Sequence, residues 1–318
     1  MRVKELFLIE KKPPKGLLAA EWVIIGYLVF TLAVMALFWD GLENREAMLQ
    51  GRFHYVMTTL AMWVVYRLVP CRLTLFARIA VQMLFLGFWY SDTYELNRHL
   101  PNLDHLFASA EQSLFGCQPA LVFSQHMPWE WFSELMCLGY VSYFPLIALT
   151  TTYYFFQRFK EFRLATFVIL TSFFVYYVVY VLLPVTGPQF YYLAVGTERI
   201  AEGVFPNIGD WFLTHSECMA TPGCSEGFFH HLLGIAHNAG ERPTAAFPSS
   251  HVGVTTVLMM LALRTRCRWL VFTMFPFYLI MCFSTVYIYA HYTIDVIAGL
   301  ATGVTFYYLF VVVGKRWA

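Results

Sequence analysis

Eight apolar runs, near residues 17–39, 54–69, 73–91, 131–156, 163–183, 249–264, 268–288 and 293–313, occupy half of the 318-residue chain. A bilayer core takes about 20 consecutive apolar residues per helix, with a range of about 17–25. Most of these runs therefore read as membrane spans, and those at 54–69 and 249–264 are short ones. Only 13% of the residues are charged, against about 25% in a soluble domain, too few to cover a globule with polar groups. The net charge of +1 leaves no basic footprint for nucleic acid. The fold expected is an all-α integral membrane protein with about eight transmembrane helices, in contact with membrane lipids throughout.

Lysine and arginine set the expected orientation. With the N-terminus in the cytoplasm, inside segments hold 16 of the 21 basic residues and outside segments hold 5. The charged opening, MRVKELFLIEKKPPKG, runs straight into the first apolar run, a pattern without a cleavable leader. Both termini are expected inside, and the compact loops suit a bacterial inner membrane. Glu21, near the inner end of its run, reads as a snorkelling carboxylate. Two long segments, about 92–130 and 184–248, fall outside and exceed plain connectors. The first contains LDHLFASAEQSLFG, a mixed stretch expected to lie on the membrane surface, and Trp129 and Trp131, an interfacial belt. The chain divides into N-terminal helices with an outer loop over 1–130, and a membrane domain over 131–318 that contains the loop 184–248.

The seven cysteines show no CxxC spacing, and Cys218 and Cys224, which flank Pro222-Gly223 outside, are candidates for a disulfide. His230, His231 and His237 have no standard metal-ligand spacing, and neither a metal nor any other cofactor is expected.

The chemistry concentrates in two short stretches. In AFPSSHVG, residues 246–253, an apolar helix begins after Pro248, with Ser249 as N-cap and Ser250 and His251 in the first turn. Free amides at such a helix start favour a phosphate. In STVYIYAHYTIDVIAG, residues 284–299, His291 and Asp295 stand four apart, on one face if the segment is helical. A carboxylate beside an imidazole fixes its tautomer and raises its basicity. Capping alone, or a helix-anchoring His–Asp bond, accounts for each stretch taken singly.

Together the two stretches resemble the type-2 phosphatidic acid phosphatase (PAP2) superfamily of lipid phosphatases and phosphotransferases. Pro248, Ser249, Ser250 and His251 match its Pro-Ser-Gly-His motif with Ser for Gly. Ser284, Thr285, His291 and Asp295 match its Ser-Arg…His…Asp motif with Thr for Arg. The resemblance covers roughly 131–313. The family's Lys…Arg-Pro motif is not properly present. PVTGPQFYY, residues 184–192, looks like the Gly-Pro-Arg segment of the inositolphosphotransferase-like branch, with Gln189 where Arg is usual.

The resemblance implies a phosphorylated lipid as substrate, His291 oriented by Asp295 as nucleophile, and His251 as the acid for the leaving oxygen. The phosphate would be held by Ser249, Ser250, Gln189 and Arg242, the last chosen for its nearness to the motif. The activity implied is a lipid phosphatase acting at the extracytoplasmic face, with a lipid headgroup phosphotransferase (an inositol- or sphingolipid-type synthase) as the alternative. A non-catalytic lipid-binding or transport protein is the reading of another class, and the missing arginines are its support.

Overall fold

In the computed structural model, which describes residues 3–223, 226–240 and 242–317, the apolar runs are helices. In chain order these are α1 Val3–Leu6, α2 Ala19–Leu37, α3 Arg45–Leu68, α4 Arg72–Leu84, α5 Leu86–Asn97 and α6 Asp104–Phe115. Then come α7 Pro119–His126, α8 Glu130–Val141, α9 Tyr143–Gln157, α10 Phe159–Leu182 and α11 Pro188–Val195. The last five are α12 Thr197–Ala201, α13 Phe228–Gly240, α14 Ser250–Thr265, α15 Arg268–Tyr287 and α16 Thr293–Trp317. Among the described residues the regular structure is helical, with one isolated bridge between Ile9 and Cys71 and irregular connections, the longest between α12 and α13.

Five helical stretches are long and apolar enough to cross a membrane: α2, the joined α4–α5 over Arg72–Asn97, α10, α15 and α16. A sixth is formed if α8 and α9, bent by 42° at Ser142, count as one span. The two short runs of the sequence account for the difference from eight. The run at 54–69 belongs to the 24-residue α3, whose Arg45, Glu46, Arg52, His54 and Arg67 keep it polar. The run at 249–264 is the 16-residue α14, about 24 Å long at 1.5 Å per residue. It is enclosed by α9, α10, α15 and α16 and buried on nearly every face, as expected of a helix apolar all round.

Two glycines decide how α14 and α16 meet. A Cβ on Gly303 would lie 2.5 Å from the Gly253 carbonyl oxygen, and one on Gly299 would lie 2.6 Å from the Ser249 carbonyl oxygen. Small residues four apart let helix backbones approach this closely. The N-terminal ends of the two helices therefore sit side by side, with the Ser249 amide donating to the Asp295 carbonyl at 3.1 Å.

The N-terminal helices are tied by buried ion pairs. Arg78 grips Glu21 through Nε at 2.7 Å and Nη2 at 2.5 Å, both side chains being 0% exposed. Glu21 is thus no snorkelling residue: its partner, 57 positions along the chain, meets it inside the bundle. Arg52 holds Asp92 in the same two-pronged way, at 2.8 and 2.6 Å.

The long segments 92–130 and 184–248 carry helices of their own, among them α6, α7, α11, α12 and α13. α6 packs its polar side on the protein and leaves an apolar side open: its Asp104, Ala108 and Glu111 are buried, while Leu106, Leu114 and Phe115 are exposed. The carboxylates face inward because backbone and hydroxyl donors wait for them there. Cys218 is exposed, and Cys224 lies outside the described residues.

Candidate active site

Ser249 caps α14, its Oγ accepting the Val252 amide at 3.3 Å. The Ser250 amide donates to the Tyr180 hydroxyl at 2.9 Å, and that hydroxyl donates to the Pro248 carbonyl at 2.9 Å. Three amides of this helix start, on Ser249, Ser250 and Val252, are therefore taken by the protein itself. They fix the first turn, and with it His251, instead of standing open for an anion. The His251 ring lies between the rings of Tyr140 and Tyr143, each at 4.5 Å between centroids.

His291 sits in the turn between α15 and α16, where Tyr289 adopts φ of +67° and the His291 amide donates to the Thr285 carbonyl at 2.9 Å. Its Nδ1 is 2.8 Å from the Ala246 carbonyl oxygen and 3.6 Å from Asp295 Oδ2. The orienting hydrogen bond thus goes to Ala246, with Asp295 at ion-pair range. The i,i+4 spacing stacks two side chains only within a helix, and α16 begins at Thr293, after the histidine. Asp295 Oδ2 instead accepts the Tyr292 amide at 2.8 Å, closing the helix start. Both oxygens near Nδ1 are acceptors, which assigns the proton to Nδ1 and the lone pair to Nε2. Nε2 faces His251 Nδ1 at 3.5 Å, although the two residues are 40 positions apart. His291 is 3% exposed.

A third segment closes on this pair. Gly187, with φ of +92°, comes so near the turn that a Cβ would lie 2.6 Å from the Ala290 carbonyl oxygen. The amide of Gln189 donates to the Tyr289 carbonyl at 2.8 Å, and the Gln189 carbonyl accepts the Met219 amide at 2.8 Å. Gln189 is buried. Arg242 is exposed. The structure thus joins Ser249, Ser250, His251, His291, Asp295 and the Gln189 backbone into one hydrogen-bonded and packed unit. Among the described residues no three His, Cys, Asp or Glu side chains are grouped as metal ligands.

Sequence reasoning missed three participants. The Ala246 carbonyl, held by the Ala246 amide bonding to Val185 at 2.8 Å, carries no sequence signal at all. Asp104 accepts from both the 186–187 segment and Tyr292. Glu111 accepts the Thr293 amide at the start of α16. Burial pushes the Glu111 carboxyl up to about 7, the nearby Asp295 adds to the rise, and the Thr293 and Ile294 amides oppose it. The seven-residue spacing of Asp104 and Glu111, with Ala108 between them, was the available signal of a shared face.

Residues 104–309 match the PAP2 superfamily. The chain belongs to the PAP2 superfamily. The match begins at Asp104, the first residue of α6, so the PAP2 region takes in α6 and α7. Comparisons with curated proteins and with solved structures give no match. Members of the PAP2 superfamily are phosphatases or related phosphotransferases, and membership makes this chain a phosphatase-type membrane enzyme of lipid-related chemistry.

Proposed function

We propose that the protein cleaves the phosphate ester or diphosphate of a lipid through a phosphohistidine on His291. The observation that carries this reading is the pairing of the two histidines. His291 Nε2 faces His251 at 3.5 Å, while its Nδ1–H is held by the Ala246 carbonyl with Asp295 behind it. In the first step Nε2 attacks phosphorus and the bond to the leaving oxygen breaks, with His251 delivering the proton to that oxygen. In the second step water attacks, His251 takes its proton, and the N–P bond breaks. Proton transfer by a positioned histidine contributes about 10²–10⁴-fold, and Asp295 balances the positive charge that builds on His291 during attack. Ser250, Gln189 and Arg242 are the proposed phosphate ligands; Ser249 contributes through the cap.

Headgroup transfer shares the first step and differs in the acceptor. The neutral Gln189, where the inositolphosphotransferase-like branch has arginine, tilts the reading from a generic phosphatase towards a dedicated lipid substrate, with hydrolysis remaining the leading reading. The 16-to-5 distribution of basic residues supports eight crossings with both termini in the cytoplasm and the site on the outer face, and the compact loops suit a bacterial inner membrane.

The test is phosphate release by purified protein from a panel of lipid phosphates, without metal, beside His291→Ala and His251→Ala. Release lost in both variants supports the histidine mechanism. A new lipid product on adding diacylglycerol, ceramide or inositol makes the protein a transferase. Silence under both conditions refutes the proposal in favour of lipid binding or transport, and full activity in His291→Ala refutes the phosphohistidine mechanism.

A further inference from the structure

Asp104 is fully buried, 0% exposed, and every group aimed at its carboxylate is a donor. Oδ2 accepts the Thr186 amide at 2.7 Å, the Thr186 hydroxyl at 2.9 Å and the Asn102 side-chain amide at 2.7 Å. Oδ1 accepts the Gly187 amide at 2.9 Å and the Tyr292 hydroxyl at 3.0 Å. One carboxylate thereby bonds two segments that are far apart in the chain. The first, 186–189, presents Gln189; the second, 289–295, presents His291 and Asp295. Tyr292 is the direct neighbour of His291, and its own amide is held by Asp295. The separation between the proposed phosphate ligand and the proposed nucleophile is therefore set by this side chain together with the direct Gln189 amide to Tyr289 carbonyl bond.

We propose that Asp104 is a positioning residue of the phosphotransfer site, the shared anchor that holds the 186–189 segment and the 289–295 turn in register. The proposal rests on the catalytic reading given above. Asparagine is a poor substitute despite its shape, because its NH₂ would meet at least two donors where the carboxylate met acceptor-seeking hydrogens. A displacement of about 1 Å at a reacting group can cost about 10²-fold in rate.

The experiment compares Asp104→Asn, Tyr292→Phe and Thr186→Val in the full-length, detergent-purified protein. Tyr292→Phe cuts only the link to the nucleophile turn and is expected to lower kcat with KM unchanged. Thr186→Val weakens the link to the other segment and is expected to raise KM with kcat little changed. Asp104→Asn is expected to do both, with kcat down about 10²-fold, and adding Tyr292→Phe to it should lower kcat no further. In parallel, diethyl pyrocarbonate labelling read by mass spectrometry should modify His291 several-fold faster in Asp104→Asn and Tyr292→Phe, measured against the exposed His126. A common loss of folded protein, with kcat per folded molecule, KM and His291 labelling all unchanged, overturns the proposal. If the wild type itself turns over no lipid, the catalytic reading falls. His291 labelling then decides the anchor alone, and unchanged labelling refutes it.

Discussion

Replacing Glu111 with Gln should make the protein more stable in mild alkali, an unusual direction for removing a buried hydrogen-bonded carboxylate. The Glu111 side chain caps α16 through one oxygen, while Oε2 is buried without a hydrogen-bond partner. Its carboxyl titrates at about 7 in the fold, against an ordinary value of 4.5. Below the lower value both states carry the proton. Between the two, only the folded state keeps it, so folding stability falls as pH rises through that window. At 1.36 kcal/mol per pKa unit the full loss is about 3 kcal/mol, of which about 2–3 kcal/mol falls between pH 5 and pH 8. Glutamine retains an acceptor for the Thr293 amide and does not titrate. Thermal unfolding in detergent, followed by tryptophan fluorescence at pH 5 and pH 8, measures the difference. The wild type should lose about 5 °C more than Glu111→Gln over that interval, at about 2 °C per kcal/mol for a chain of this size. Parallel pH dependence in the two proteins, or a larger loss in the variant, would refute the reasoning.

Glu21→Ala strands the Arg78 guanidinium inside the bundle and should cost about 3–5 kcal/mol; Glu21→Leu combined with Arg78→Met should recover most of the loss in the same unfolding assay. Gly303→Val puts a side chain where a Cβ already meets the Gly253 carbonyl at 2.5 Å and Thr256 Cβ at 2.7 Å. It should cost about 1–3 kcal/mol and abolish turnover by parting α14 from α16, and activity retained at wild-type level would contradict the geometry.

The parts of the site legible in the sequence are those whose physics is local. Ser249 reads as an N-cap because the cap, the first turn and the apolar run lie within a few residues, and the structure caps α14 there. His251 and His291 fall to the ends of α14 and α15 because apolar runs define those ends, and their meeting follows from the PAP2 resemblance. Asp295 was legible as a neighbour of His291 but not in its contact, since the turn that breaks the helix between them shows no breaker residue in HYTID. The number of crossings was harder to read. Apolarity marks α14 as buried but does not distinguish a neighbouring helix from lipid as the cover, and in the structure that cover is protein.

The sequence by itself determined the helices, the membrane setting and the chemical types that meet at the site: two imidazoles, a carboxylate and a capped helix start. Hydropathy and capping act over a few residues, so they are written in consecutive letters. Only the tertiary structure decided that the Ala246 carbonyl holds His291, that Arg78 seeks out Glu21, and that α6 turns its carboxylates inward. A backbone carbonyl has the same chemistry at every position, and nothing in its side chain announces its use. Asp104 faces the interior because its donors arrive from residues 82 and 188 positions away, and a buried carboxylate points to wherever its donors are.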